Sequence, residues 1–97
     1  MHSGDASNTL VPVNNRHRKT LVAIFADPVS GTIEWAAIEA LFVAVGCRVL
    51  TKSGGSRVKF IHGDVVAAFH RPHPAKEAKQ YQVRDAREFL IKIGVQP

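Results

Sequence analysis

Gly54-Gly55-Ser56-Arg57-Val58-Lys59-Phe60-Ile61-His62-Gly63-Asp64-Val65-Val66-Ala67-Ala68-Phe69-His70 is the stretch that decides the fold. From Arg57 to His62 the residues alternate, with Val58 and Phe60 on one side and Arg57 and Lys59 on the other. That period of two belongs to a strand buried on one face only. Gly63-Asp64 is a hairpin turn, and Val65 to His70 is its returning strand. Upstream, Arg48 to Thr51 reads as a short first strand and Lys52 to Ser56 as a flexible glycine turn. The middle of the chain is thus a three-stranded antiparallel sheet whose apolar face needs a cover.

Helical patterns on both sides supply that cover. Ala37, Ile38, Leu41, Phe42 and Val45 recur at helical spacing, with Thr32 expected as the cap, Glu34 in the first turn and Gly46 as the left-handed stop. A last helix is expected from Tyr81 to Ile93, with Val83, Ala86, Phe89, Leu90 and Ile93 apolar and Gly94 ending it. Near the N-terminus, Asn14 or Asn15 caps a further short helix, Arg16 to Ala26, which carries Leu21, Ile24 and Phe25 on one face and breaks at Asp27-Pro28. The expected class is α+β, with helices packed on one face of the sheet and an extra N-terminal helix. Residues 1–14 read as a disordered tail and residues 15–97 as one domain.

Composition narrows the chemistry. The formal net charge is +5, from 13 Lys and Arg against 8 Asp and Glu, which suits a polyanionic partner or an acidic protein. Cys47 is the single cysteine, so no internal disulfide forms; its place at the end of an apolar helix reads as a buried structural thiol. No Cys/His group has zinc spacing, and no metal or cofactor is expected. No apolar run is long enough to cross a membrane, and the first fifteen residues lack a signal-peptide core, so a cytoplasmic protein with no membrane partner is expected.

The loop after the hairpin carries the candidate chemistry. His70, Arg71 and His73 lie together in a segment stiffened by Pro72 and Pro74, with Lys76 just beyond. RNA cleavage by side chains alone needs a base for the 2′-hydroxyl, an acid for the leaving 5′-oxygen, and cations around the phosphate. Imidazole serves the first two roles because it ordinarily titrates near neutrality. His70 and His73 are therefore the candidate catalytic residues. Arg57, Lys59, Arg71 and Lys76 are the candidate RNA-binding cations, with Arg71 suited to hold a phosphate bidentately. His62 reads as a hairpin residue, and Trp35 as a packing residue. Arg84, Arg87 and Lys92 read as a solvated face of the last helix, with Glu88 at i,i+4 spacing from Arg84 and Lys92.

Taken in order, Ile38, Leu41, Gly46, Gly55-Ser56, Phe60, Pro72-His73-Pro74, Lys76-Glu77, Phe89-Leu90 and Gly94 make the chain from about Thr32 to Val95 similar to the HicA toxins of bacterial toxin–antitoxin pairs. The resemblance implies a double-stranded-RNA-binding-like fold of helix, three strands and helix. It also implies an endoribonuclease that cleaves mRNA independently of translation, and neutralisation by a HicB-type antitoxin. The Arg16 to Ala26 helix lies outside it. One departure bears on activity: the family's usual motif is Gly-Ser-His, with a catalytic histidine, and here it reads Gly55-Ser56-Arg57. Three readings stay open. His70 or His73 has taken over the role; Arg57 stabilises the phosphorane without a histidine base; or the chain is a catalytically inactive HicA-derived RNA-binding or protein-interaction module.

Overall fold

A computed structural model describes residues 14–52 and 55–97 of the chain. Apart from Asn14, the expected N-terminal tail lies outside the described residues, as do Ser53 and Gly54 of the expected turn. The elements are α1 (Asn15–Ile24), α2 (Trp35–Ala44), β1 (Arg48–Thr51), β2 (Arg57–His62), β3 (Val65–His70) and α3 (Gln80–Lys92). From α2 onward this is helix, three strands, helix, in an α+β arrangement.

The sheet is antiparallel throughout, in the order β1-β2-β3. Residues directly opposite each other share a face. The register pairs Arg48 with Ile61 and Leu50 with Lys59, then Arg57 with His70, Lys59 with Ala68 and Ile61 with Val66. Those residues form the outer face. Val58, Phe60 and Phe69 belong to the other face and are buried under α2 and α3. The alternation expected for Arg57 to His62 is therefore present, and it puts the cations outside. Gly63 turns the hairpin at φ 60°, in the left-handed region that glycine adopts without cost.

The core is largely aromatic. Phe42 of α2 meets Phe60 edge-on with ring centroids 4.8 Å apart and Phe89 of α3 at 5.1 Å, while Trp35 lies 5.1 Å from Phe69. Such pairs contribute roughly 0.5–1.5 kcal/mol each beyond the area they bury. Ile38, Leu41, Val83, Ala86 and Leu90 fill the space between, and Leu21 and Ile24 bring α1 into the same cluster. Trp35 is thus a packing residue, as expected. Cys47 is buried beside this core, and burial pushes its thiol up to about 11.

Two boundaries differ from the sequence reading by more than one residue. The second helix starts at Trp35, not near Thr32. Glu34 and Glu77 form an isolated antiparallel bridge, in which the Trp35 N–H donates to the Lys76 carbonyl (2.9 Å) and the Ala78 N–H to the Ile33 carbonyl (2.8 Å). The extended Ile33-Glu34 pair, with the first N–H of α2, thereby pins the far end of the 71–79 loop. The Thr32 hydroxyl instead pairs with that of Ser30 (3.1 Å). The first helix ends at Ile24, two residues early. Carbonyls at and just beyond its end are taken by Arg87 of α3: Nε donates to the Ile24 carbonyl (3.0 Å) and Nη2 to the Ala26 carbonyl (2.8 Å). Asn14 is the N-cap, its side chain accepting from the His17 N–H at 2.9 Å.

Candidate nucleic-acid interface and reaction centre

The outer sheet face begins at the point where β2 starts and β3 ends. Antiparallel register makes Arg57 the direct cross-strand neighbour of His70. Beside them, Ser56 Oγ lies 3.5 Å from His70 Nδ1. The strand ends are locked further by the Arg71 N–H, which donates to the Ser56 carbonyl at 2.9 Å. Ser56, Arg57 and His70 are all exposed. Two stretches far apart in sequence, Gly55-Ser56-Arg57 and the His70 end of the hairpin, are thus one site.

Gln82 holds this site from below. It is 2 % exposed, a rare position for an amide. Its Nε2 donates to the His70 carbonyl at 2.6 Å, and its Oε1 accepts from the Lys79 N–H at 3.0 Å. Both ends of the buried amide are therefore satisfied, and α3 is tied to the end of β3. The sequence carried a signal for it: Gln82 falls on the same helical stripe as Val83, Ala86 and Phe89, where an apolar residue is expected.

Further along the outer face, Lys59 stands between Leu50 and Ala68. Lys52, Arg57 and Lys59 rim a groove of about 230 Å³ whose apolar lining includes Leu50 and Ala68. Leu50 and Val66 on this face are 51 % and 55 % exposed, so α2 and α3 leave it open.

The remaining candidate residues are placed differently. Arg71 does not point its fork at open solvent. Its Nε and Nη2 donate to Glu39 Oε2 and Oε1 of α2, at 2.6 and 3.1 Å. Trp35 Nε1 donates to the same carboxylate. The hydrogen bond to Glu39 raises Arg71's affinity for its proton above the ordinary arginine value. Glu39, the lone charged residue of an otherwise apolar helix, was the missed partner; 32 residues separate the pair. His73 is exposed in the loop, with no hydrogen bond to Ser56, Arg57 or His70 among the described residues. Lys76 is exposed too, while its carbonyl is fixed by Trp35. His62 lies in the helix-covered half of the hairpin, its ring close to Gly46. Arg87 caps α1, and Glu88 forms no ion pair with Arg84 or Lys92; the Arg71–Glu39 pair is the one such bridge among the described residues.

Among the described residues no group of three His, Cys, Asp or Glu stands close enough to hold a metal ion, and no helix is long and apolar enough to cross a membrane.

What fold and site define together is a small α+β domain that leaves one sheet face open and sets cations, a hydroxyl and an imidazole at its end. Residues 35–95 match the family model described as HicA toxin of bacterial toxin-antitoxin. The match spans well over half the chain, and the chain belongs to the HicA toxin family. It therefore carries the toxin side of a toxin–antitoxin pair, for which the partner kind is an antitoxin. α1 precedes the matched region. No curated protein and no solved structure matches the chain.

Proposed function

We propose that this toxin is an endoribonuclease that cleaves mRNA in the cytoplasm without a metal, with His70 as its general base. The observation that carries the proposal is the register: the family's histidine position holds Arg57, and His70 is its cross-strand neighbour, with Ser56 Oγ 3.5 Å from the ring. An imidazole lost from one strand has a substitute on the next, facing the same way.

In the proposed reaction His70 takes the proton of the 2′-hydroxyl. The 2′-oxygen attacks the adjacent phosphorus, and the bond to the 5′-oxygen breaks. A 2′,3′-cyclic phosphate and a 5′-hydroxyl result, the leaving oxygen taking its proton from an acid. His73, exposed three residues along, is our candidate for that acid. Arg57 stabilises the charge that develops on the phosphorane, while Lys59 and Lys76 hold flanking phosphates. Arg71 acts as a positioning residue, because Glu39 occupies its fork. A HicB-type antitoxin neutralises the toxin by covering the open basic face, where its acidic groups meet Arg48, Arg57 and Lys59.

The test is cleavage of mRNA by purified wild type and by His70→Ala, with end-group analysis. Loss of a general base lowers the rate roughly 10²- to 10⁴-fold. Cyclic phosphate ends that vanish with His70 support the assignment. RNA that wild type binds but leaves whole from mildly acidic to neutral pH makes the chain a binding module and sinks it.

A further inference from the structure

Helix α1 contributes Arg16, His17, Arg18 and Lys19 in succession and contains no Asp or Glu. They occupy the first half of the helix, where the positive end of its dipole disfavours cations. Local stability does not explain such a run. Nor does pairing: Arg16, Arg18 and Lys19 are exposed, and none has an acidic partner among the described residues. Helical geometry turns Arg18 and Lys19 away from Thr20, Leu21 and Ile24, which are buried, and leaves Arg16 at the edge of that buried stripe, one turn before Thr20.

The run is also held on a rigid support. Leu21 and Ile24 lie in the common core, and Arg87 closes the other end of the helix. A solubilising charge cluster would need no such anchoring. The helix's apolar stripe is consumed by that packing, which leaves no face to enter a lipid surface. The exposed arc of Asn15, Arg16, Arg18, Lys19 and Val22 has too little apolar area for the centre of a protein interface. A row of fixed cations with a wet, polar surround is suited to a polyphosphate backbone.

We propose that α1 is a second RNA-backbone contact, separate from the reaction centre and outside the HicA-matched region, which holds a flanking single-stranded segment by its phosphates without reading sequence. The inference rests on the reading of RNA as substrate. A long RNA engages both sites, and a short one reaches only the outer sheet face.

The experiment measures binding of the full chain to a single-stranded 2′-O-methyl RNA, which lacks the 2′-hydroxyl and stays uncut, over a range of salt concentrations. Wild type is compared with Arg16→Gln/Arg18→Gln/Lys19→Gln. A control, Arg84→Gln/Lys92→Gln, removes exposed cations of α3. Three lost phosphate contacts make the slope of log affinity against log salt shallower by about 2, at about 0.7 per contact on a single strand. The expected result is that shift in the α1 variant, none in the control, and a thermal midpoint lowered in neither, since the α1 cations oppose the helix dipole. RNA binding with the same slope in all three proteins overturns the inference and leaves the RNA reading intact. A loss in the control in proportion to the two charges it removes, against three in the α1 variant, also overturns it, because net charge would then be the cause. Failure of wild type to bind at low salt overturns both readings together, and so does capture of antitoxin, but not RNA, that depends on the α1 cations.

Discussion

Removing the carboxylate of Glu39 tests how the 71–79 loop is held. Glu39 accepts from Arg71 Nε at 2.6 Å, from Arg71 Nη2 at 3.1 Å and from Trp35 Nε1. Hydrogen bonds to charged groups contribute about 1.5–3 kcal/mol when buried. Here the side chains are 38 % and 21 % exposed, so solvent screening lowers that figure. Fully exposed pairs contribute about 0.2–1 kcal/mol. The pair lies between these limits, and its coupling is expected at roughly 1–1.5 kcal/mol. Glu39→Gln, Arg71→Met and the double variant, compared with wild type by chemical denaturation, give that coupling as a double-mutant cycle. In thermal terms 1 kcal/mol is about 4–8 °C for a domain near this size. A coupling below about 0.3 kcal/mol, the scatter of independent sites, would refute the geometry.

The same variants separate two roles for Arg71. If its fork serves Glu39, Arg71→Met and Glu39→Gln both slow RNA cleavage, and the salt slope of RNA binding stays where it was. If Arg71 grips a phosphate, Arg71→Met lowers that slope by about 0.7, while Glu39→Gln frees the fork and tightens binding. The second pattern would overturn the positioning role.

Three further outcomes follow from the packing. Gln82→Leu orphans the His70 carbonyl and the Lys79 N–H and is expected to cost roughly 2 kcal/mol, along with slower cleavage; a denaturation midpoint that does not move would rule out the strut. Gly46→Ala forces a Cβ onto a residue at φ 102°, with His62 ring atoms 3.9 Å away, so backbone strain sets the cost at about 1–2 kcal/mol by denaturation, and a neutral result contradicts the positive φ. Cys47 is expected to alkylate at mildly alkaline pH about two orders of magnitude more slowly in the folded than in the unfolded chain, because its thiol sits near 11 against about 8.5 unfolded. The sign for stability follows: the unfolded thiol ionises first, so Cys47's contribution is intact below about 8.5 and declines as pH rises towards 11. Equal alkylation rates in the two states would contradict the burial.

The sheet was the most legible part of the molecule, since period-two alternation from Arg57 to His62 needs no distant information. Gly63-Asp64 then set the hairpin and with it the register, and the register brought Arg57 and His70 side by side. Helix stops at Gly46 and Gly94 were readable for the same local reason, and both have positive φ. Helix starts were less so. Thr32 has a capping side chain, but Ile33 to Trp35 were drawn into a bridge with Lys76 to Ala78, a partner more than forty residues away. Long-range polar pairing was the least visible. Arg71 and Arg87 each resembled a free surface cation, and each turned out to be spoken for, one by a carboxylate and one by helix-end carbonyls. Neither partner leaves a periodic trace in sequence, and the sequence reading passed over both Glu39 and Gln82, although each is a polar residue in an apolar setting.

The clasp between Arg87 and the end of α1 changes where this protein can be cut. Family matching begins at Trp35, and a fusion or minimal toxin would naturally be trimmed there. Such a cut would strip Leu21 and Ile24 from the shared interior, uncovering greasy surface on the two helices they touch. It would also leave a guanidinium facing nothing where two backbone oxygens had been. The unit of homology and the unit of folding thus have different edges, and the shorter one, expressed alone, should be sticky and poorly behaved even with every residue of the candidate site in place.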